Sequence, residues 1–476
     1  MNNCLIIPVF LCKHAVFSRQ LLTKKSFDCI IFNMQRDMRK FLISWKTDPL
    51  RKPLIIRGAR QVGKTWLIDS FGKESFINFV KVNFELQTSL KSLFNNLETE
   101  SIITGLELSL NVRIIPGETL LFFDEIQECP AALKSLRYFY EQLPALHVIA
   151  AGSLLEFIHE SENISIPVGR VSSYFLQPLS FGEFLNAAGE DKLRSFLSSL
   201  QLDTNIPDAV HQKCLTLLKA YFFTGGMPAA ADFWCENRKF TRIPEIHLTL
   251  LQNYRQDFGK YGKKINHEYL EAVFNHVSAS VGTKFKYVNI DPHAASRELK
   301  KALLLLVKAQ VLSIVRATSG TGLPLRAHIH ERMFKVLFLD IGLFQTDRGL
   351  SEKTILSENI LGEHLGASAE QYAGQQLLSL NPCFAEPELF YWQREEKGSE
   401  AEVDYLYQHS GQVFPIEVKH GSTGTLRSLR LFLTEKHVPF GIRVSRHPLS
   451  VQDRILSVPL YAMEALPSLV QQYAQG

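Results

Sequence analysis

A loop bounded by two glycines, Gly58-Ala59-Arg60-Gln61-Val62-Gly63-Lys64-Thr65, follows the apolar run Pro53-Leu54-Ile55-Ile56 and Arg57. This is the spacing of a phosphate-binding P-loop. A triphosphate needs several donors converging on one small volume, and the backbone N–H groups of residues 58–65 can supply them. Gly58 and Gly63 permit the tight path and the close approach. A helix opening at Lys64 would aim its positive dipole end at the phosphates. On this reading Lys64 pairs with the β- and γ-phosphate oxygens, and Thr65 puts its hydroxyl on Mg2+. The bland alternative is a glycine turn that happens to precede a helix.

A second stretch, Leu120-Leu121-Phe122-Phe123-Asp124-Glu125, is an apolar run ending in two acids, as in a Walker B motif. Asp124 at a strand end suits Mg2+ coordination through water, and Glu125 suits polarisation of the attacking water. A salt-bridged structural corner is the alternative. Ser153, after the run His147 to Gly152, stands where a polar group could sense the γ-phosphate or cap a following helix. Arg170 is a candidate charge partner for phosphate, in cis or from a neighbouring subunit, or else a surface arginine satisfied by a carboxylate.

The C-terminal third holds another set. Glu402 to Tyr407 and Val413 to Lys419 alternate as strands around the turn His409-Ser410-Gly411. Glu417 and Lys419, two apart, project from one face, and the hairpin can bring Asp404 beside them. Asp404 with Glu417-Val418-Lys419 resembles the D…E-x-K core of restriction-endonuclease-like nucleases. That resemblance implies Mg2+ held by Asp404 and Glu417, Lys419 assisting the attacking water, and Glu370 as an additional acidic position. Such folds also occur as binding domains without cleavage.

The elements that must position these residues alternate. Strand runs at Leu54, Phe76 to Phe84, Leu120 and His147 are separated by helical stretches, which predicts a doubly wound parallel sheet with its ligand at the strands' carboxyl ends. The expected organisation is an α/β chain: an extension at 1–33 that is untranslated or outside the fold, an AAA-like P-loop domain at 34–185, a helical lid at 186–252, a winged-helix-like region at 253–345 and a restriction-endonuclease-like α/β domain at 346–476. In the lid, Gly225-Gly226-Met227-Pro228 would let backbone approach an adenine ring, or else simply ends a helix. The winged-helix order rests on Ala294 to Ala309 as an amphipathic helix, Val311 to Val315 as a strand and Ser319-Gly320-Thr321-Gly322 as the turn of a wing. Such modules bind DNA or serve as protein-contact spacers.

Composition sets limits. At 476 residues the chain exceeds one core, and 46% hydrophobic with 21% charged residues is the content of an ordinary globular protein. A net charge of +4 implies no global attraction to polyanions. Seven scattered cysteines without a C-x-x-C pair predict a reducing cytoplasm, no disulfide framework and no structural zinc. No apolar run is long enough to span a bilayer. Leu5 to Cys12 is short, is broken by Pro8 and lacks signal-peptide flanks, so translation is expected to start at Met34.

Taken together, the P-loop run, Phe123-Asp124-Glu125-Ile126-Gln127, Ala151-Gly152-Ser153, Pro178-Leu179-Ser180-Phe181-Gly182-Glu183-Phe184 and Gly225-Gly226-Met227-Pro228 resemble a large prokaryotic family of AAA-type ATP-binding proteins with a C-terminal domain of unknown function. The resemblance runs from about Met34 to the C-terminus. It implies ATP binding with Mg2+ and ATP hydrolysis. Two roles follow as expectations: a nucleotide-driven switch acting on DNA, or a nucleotide-dependent switch that binds a protein partner and carries a silent nuclease-like domain.

Overall fold

The computed structural model describes residues 34–152, 167, 169–260, 266–350, 366–394, 401–419 and 426–475. The extension 1–33 and Ser153 lie outside the described residues. Five short strands, β1 (Leu54–Arg57), β2 (Asn78–Asn83), β3 (Thr119–Asp124), β4 (His147–Ala151) and β5 (Ser172–Phe175), form one sheet in the order β2-β3-β4-β1-β5. Every neighbouring pair is parallel, with Ile55 between Ala150 and Ser173. Parallel neighbours need crossovers, and the helices Lys64–Ser75, Thr99–Leu110 and Pro130–Gln142 supply them. β1 is flanked by β4 and β5, neither of them its neighbour in sequence, so the loop after it opens at the carboxyl edge where such sheets bind ligands.

Strand residues alternate between faces. On one face Ile55, Val82, Leu121, Phe123 and Val148 meet Leu106, Leu136 and Phe139 in a separate small core. Phe123 is ringed there by Phe84, Phe94 and Phe139, so its truncation to Ala is worth about 3–5 kcal/mol. On the other face Leu54, Ile56, Phe122 and Ile149 pack on Ile68 and Phe71. This second core runs on without a break through Phe184, Tyr221 and Tyr372 into the C-terminal sheet.

That sheet has eight strands: β6 (Leu312–Thr318), β7 (Ile329–Phe338), β8 (Leu389–Gln393), β9 (Glu402–His409), β10 (Gln412–Val418), β11 (Gly441–Ser445), β12 (Ser450–Gln452) and β13 (Ile455–Pro459), in the order β12-β13-β11-β10-β9-β8-β6-β7. Here the structure differs from the winged-helix expectation. The helices His267–Ser280 and Ser296–Lys308 do precede a β6–β7 hairpin, but the hairpin is no free wing. β6 runs parallel to β8, from Val315 beside Leu389 to Thr318 beside Trp392, so one sheet crosses the expected boundary at 345. The physical reason is burial: Leu312, Val315, Ala317 and Thr318 of β6 are covered, which an exposed wing would not allow. The β9–β10 hairpin turns on Ser410 (φ 47°) and Gly411 (φ 78°), the two left-handed positions that a two-residue connection requires.

Between the two sheets sits a buried polar knot. The Asp340 carboxylate accepts from the backbone N–H of Gly226 (2.6 Å), Gly342 (2.9 Å) and Leu343 (3.2 Å) and from Gln375 Nε2 (3.0 Å). Tyr221 donates to the Leu179 carbonyl, and Phe181 N donates to Gln376 Oε1 at 3.0 Å. The double glycine ends the helix Asp208–Thr224, the second of its two readings, and these contacts give it a structural reason. A Cβ at Gly225 would lie 2.0 Å from Asp340 Oδ1, and one at Gly226 2.2 Å from the Leu179 carbonyl oxygen. The glycines make room for the protein's own carboxylate and backbone.

Candidate functional site

The P-loop wraps the start of the helix Lys64–Ser75. Gly63 has φ 95°, a left-handed conformation that glycine adopts without strain, and its α-carbon faces Pro228 of the Gly-Gly-Met-Pro turn, where a Cβ would come within 3.5 Å of the proline ring. At Gly58 a Cβ would stand 2.6 Å from the Leu176 carbonyl oxygen. The Lys64 side chain is buried and folds back so that Nζ donates to the carbonyls of Gly58 and Ala59, each at 2.8 Å. Among the described residues no carboxylate lies within ion-pair distance of it. Burial pulls this ammonium down to about 8, against the more distant attraction of Glu125 and Asp124.

Beside it, Thr65 Oγ1 donates to Asp124 Oδ1 at 3.0 Å, so the two residues expected at Mg2+ are in contact. Asp124, at the end of β3, also accepts from Asn83 Nδ2 (3.2 Å) and pairs with Lys81 (3.3 Å). Glu125 follows in a left-handed conformation (φ 50°, ψ 48°), which swings its side chain off the strand direction, and its Oε2 accepts from Gln127 Nε2 at 2.6 Å. The geometry thus brings Lys64, Thr65, Asp124 and Glu125 to one corner of the carboxyl edge. Arg170 is elsewhere. It is exposed on the surface and its Nε holds Glu141 Oε1 at 2.8 Å, the alternative weighed for it from sequence.

Several residues around the loop are absent from the motif. Arg36 is buried, with Nη1 on the Val62 carbonyl (2.8 Å), Nη2 on the Gln177 carbonyl and Nε on Glu183 Oε1 (3.0 Å). Glu183 in turn closes a capping box with Ser180 at the start of the helix Phe181–Ala187. The helix Ile243–Asp257 also reaches the loop: Tyr254 donates to the Arg60 carbonyl at 2.8 Å, and buried Asp257 holds the Arg60 guanidinium at 2.6 and 2.7 Å. The Ser180-Phe181-Gly182-Glu183 spacing was a readable capping signal. Nothing local marked Arg36, Tyr254 or Asp257.

The C-terminal set also converges. Lys419 Nζ lies 2.6 Å from Glu417 Oε1, and Asp404 Oδ2 accepts from Val418 N at 2.8 Å. A residue missed from sequence stands among them: buried Lys335 of β7, 2.5 Å from Glu402, 3.3 Å from Glu370 and 3.8 Å from Asp404. Burial alone would lower the Lys335 ammonium, but Glu370, Asp404 and Glu402 outweigh it and hold it above its ordinary range. Burial and mutual repulsion push the carboxyls of Glu370, Asp404 and Glu417 up. Among the described residues no group of three or more His, Cys, Asp or Glu side chains is arranged to hold a metal ion. None of the helices among them is long and apolar enough to cross a membrane.

A family model described as an AAA domain matches residues 50–185, and two described as domains of unknown function, DUF8612 and DUF4143, match 215–354 and 365–463. No curated protein matches. Among solved structures, a signal transduction ATPase with numerous domains and a tetratricopeptide repeat sensor, from Pyrococcus horikoshii, is 14% identical over 74% of this chain and 46% of that one, with a TM-score of 0.25. The present chain therefore spans less than half of that protein. The RuvB Holliday junction branch migration motor of Thermotoga maritima is 14% identical over 59% of this chain and 89% of its own, with a TM-score of 0.27. PCH-2 of C. elegans is 12% identical over 42% and 62%, with a TM-score of 0.27. Scores this low establish no structural equivalence. The similarity that carries weight is the AAA domain match over the five-stranded sheet.

Proposed function

We propose that this chain binds ATP with Mg2+ at the P-loop, hydrolyses it, and uses the cycle as a conformational switch. The observation that carries the reading is Lys64: a buried cation held by its own loop's carbonyls, beside a Thr65–Asp124 contact at a strand end. The residues present fit the ligand. An ammonium with no carboxylate in ion-pair range is complementary to phosphate oxygens, and a hydroxyl touching a carboxylate is a donor set for a hard divalent ion. Bound Mg2+ would neutralise charge developing on the phosphates. Thr65 and Asp124 would hold and orient that ion, and Glu125 would polarise the attacking water.

The test is hydrolysis and binding in two variants. Lys64→Ala should abolish detectable ATP hydrolysis and weaken binding roughly tenfold to a hundredfold. Glu125→Gln should keep ATP affinity and slow turnover by about 10²-fold or more. Wild-type binding and turnover in Lys64→Ala would remove the P-loop reading; wild-type turnover in Glu125→Gln would place the base elsewhere.

A second reading concerns the C-terminal cluster. Asp404, Glu417 and Lys419 could serve Mg2+-dependent cleavage of a phosphodiester, which would make DNA the partner. Lys335 favours the other role, a silent domain in a protein-binding switch, because its ammonium already pairs with Glu370 and Asp404, two of the acids of the nuclease-like set, as Lys419 does with Glu417. Incubation with single- and double-stranded DNA, Mg2+ or Mn2+, and ATP decides between them. Nicking by the wild type that is lost in Asp404→Asn and Glu417→Gln would restore the nuclease reading.

A further inference from the structure

Two side chains that no P-loop pattern includes hold the loop's backbone. Arg36 grips the Val62 carbonyl at 2.8 Å, and Tyr254 donates to the Arg60 carbonyl at 2.8 Å. In a trans peptide the carbonyl of one residue and the N–H of the next point in opposite directions. Fixing the Val62 carbonyl therefore fixes the Gly63 N–H, and fixing the Arg60 carbonyl fixes the Gln61 N–H. Both point away from their anchors. Without the anchors these peptides can rotate, and the left-handed Gln61 (φ 64°) and Gly63 (φ 95°) mark where the chain turns most sharply.

We propose that Arg36 and Tyr254 are positioning residues for the nucleotide: each locks one peptide plane so that its N–H is presented to the phosphate chain. This rests on the P-loop reading and extends it to residues 26 positions before Val62 and 194 positions after Arg60. Arg36 is itself fixed by the Gln177 carbonyl and by Glu183, whose side chain caps the next helix, so it cannot drift to another rotamer without leaving a buried carboxylate unpaired. Tyr254 lies on the helix whose neighbouring Arg255 bonds Asn275 and Asp347, so the second anchor is tied to the segments leading into the C-terminal sheet.

Titration calorimetry with ATP and with ADP, together with thermal unfolding without nucleotide, tests the assignment on the full chain. Tyr254→Phe removes one hydroxyl and keeps the ring. Arg36→Lys keeps a charge against Glu183 but cannot hold the Val62 and Gln177 carbonyls together. The expected result is a loss of roughly threefold to tenfold in affinity for both nucleotides in Tyr254→Phe and about tenfold or more in Arg36→Lys, with the Tyr254→Phe melting temperature unchanged. Wild-type affinity in both folded variants overturns the proposal. So does an affinity loss that appears only alongside a matching fall in melting temperature, because that is the mark of a merely structural role. A wild-type chain that binds neither nucleotide removes the P-loop reading itself, and that outcome is distinct because it shows before any substitution is made.

Discussion

The P-loop and the C-terminal cluster each bury one lysine, and the two lysines shift in opposite directions. Lys64 has only carbonyls within hydrogen-bonding range and is pulled down to about 8 by burial. Lys335 is buried as deeply but sits among Glu370, Glu402 and Asp404 and is held above its ordinary range. Burial disfavours both charges; the neighbours decide the outcome. A buried cation without a countercharge is complementary to an anion from outside, whereas one already surrounded by carboxylates has its demand met within the fold. The same residue type is thus left without a carboxylate partner in one region and is enclosed by carboxylates in the other.

The comparison can be broken at its strongest point first. Lys335→Met should leave three carboxylates without their cation and cost about 3–5 kcal/mol in chemical denaturation. A loss within experimental error would mean that the cluster is solvated or protonated and is not a closed network. Lys64→Met should act in the opposite sense. It removes a buried charge that nothing pairs, and is expected to raise stability without nucleotide by on the order of 1 kcal/mol at pH 7 while abolishing ATP hydrolysis. If both substitutions destabilise alike, the contrast between the lysines fails.

A subtler effect follows from protonation. The folded value of Lys64, about 8, lies below its ordinary 10.5, so between those limits the unfolded chain binds more protons and this group's contribution to stability rises with pH. Phosphate binding favours the ammonium and moves the value back up. ATP binding near pH 8 should therefore take up a fraction of a proton, about half at most, detectable as a dependence of the binding enthalpy on buffer ionisation; no such dependence, or proton release, would contradict the assignment. The smallest effect is expected at Arg170. Its partner Glu141 is a surface carboxylate, so Arg170→Ala should leave the melting temperature unchanged, and a clear drop would show that the pair is part of something larger.

Much of the candidate site's arrangement was legible because its logic is local. Glycines bounding a loop, a lysine and threonine opening a helix, and an apolar strand ending in two acids are spacings along the chain, and the parallel strands that carry them follow from alternating apolar runs. The β9–β10 hairpin was legible for the same reason, since Ser410-Gly411 sets its register. What the sequence could not yield was every feature that depends on partners distant in the chain. Arg36 meets Glu183 across 147 positions, Gly226 meets Asp340 across 114, and Lys335 meets Glu370 across 35. The β6–β7 hairpin had the order of a wing, and only its pairing with β8 revealed it as part of a larger sheet. Local periodicity states which face of an element is apolar but not which other element covers it. That choice is made when the cores close, and it fixed which lysine acquired carboxylate neighbours and which was left to the loop.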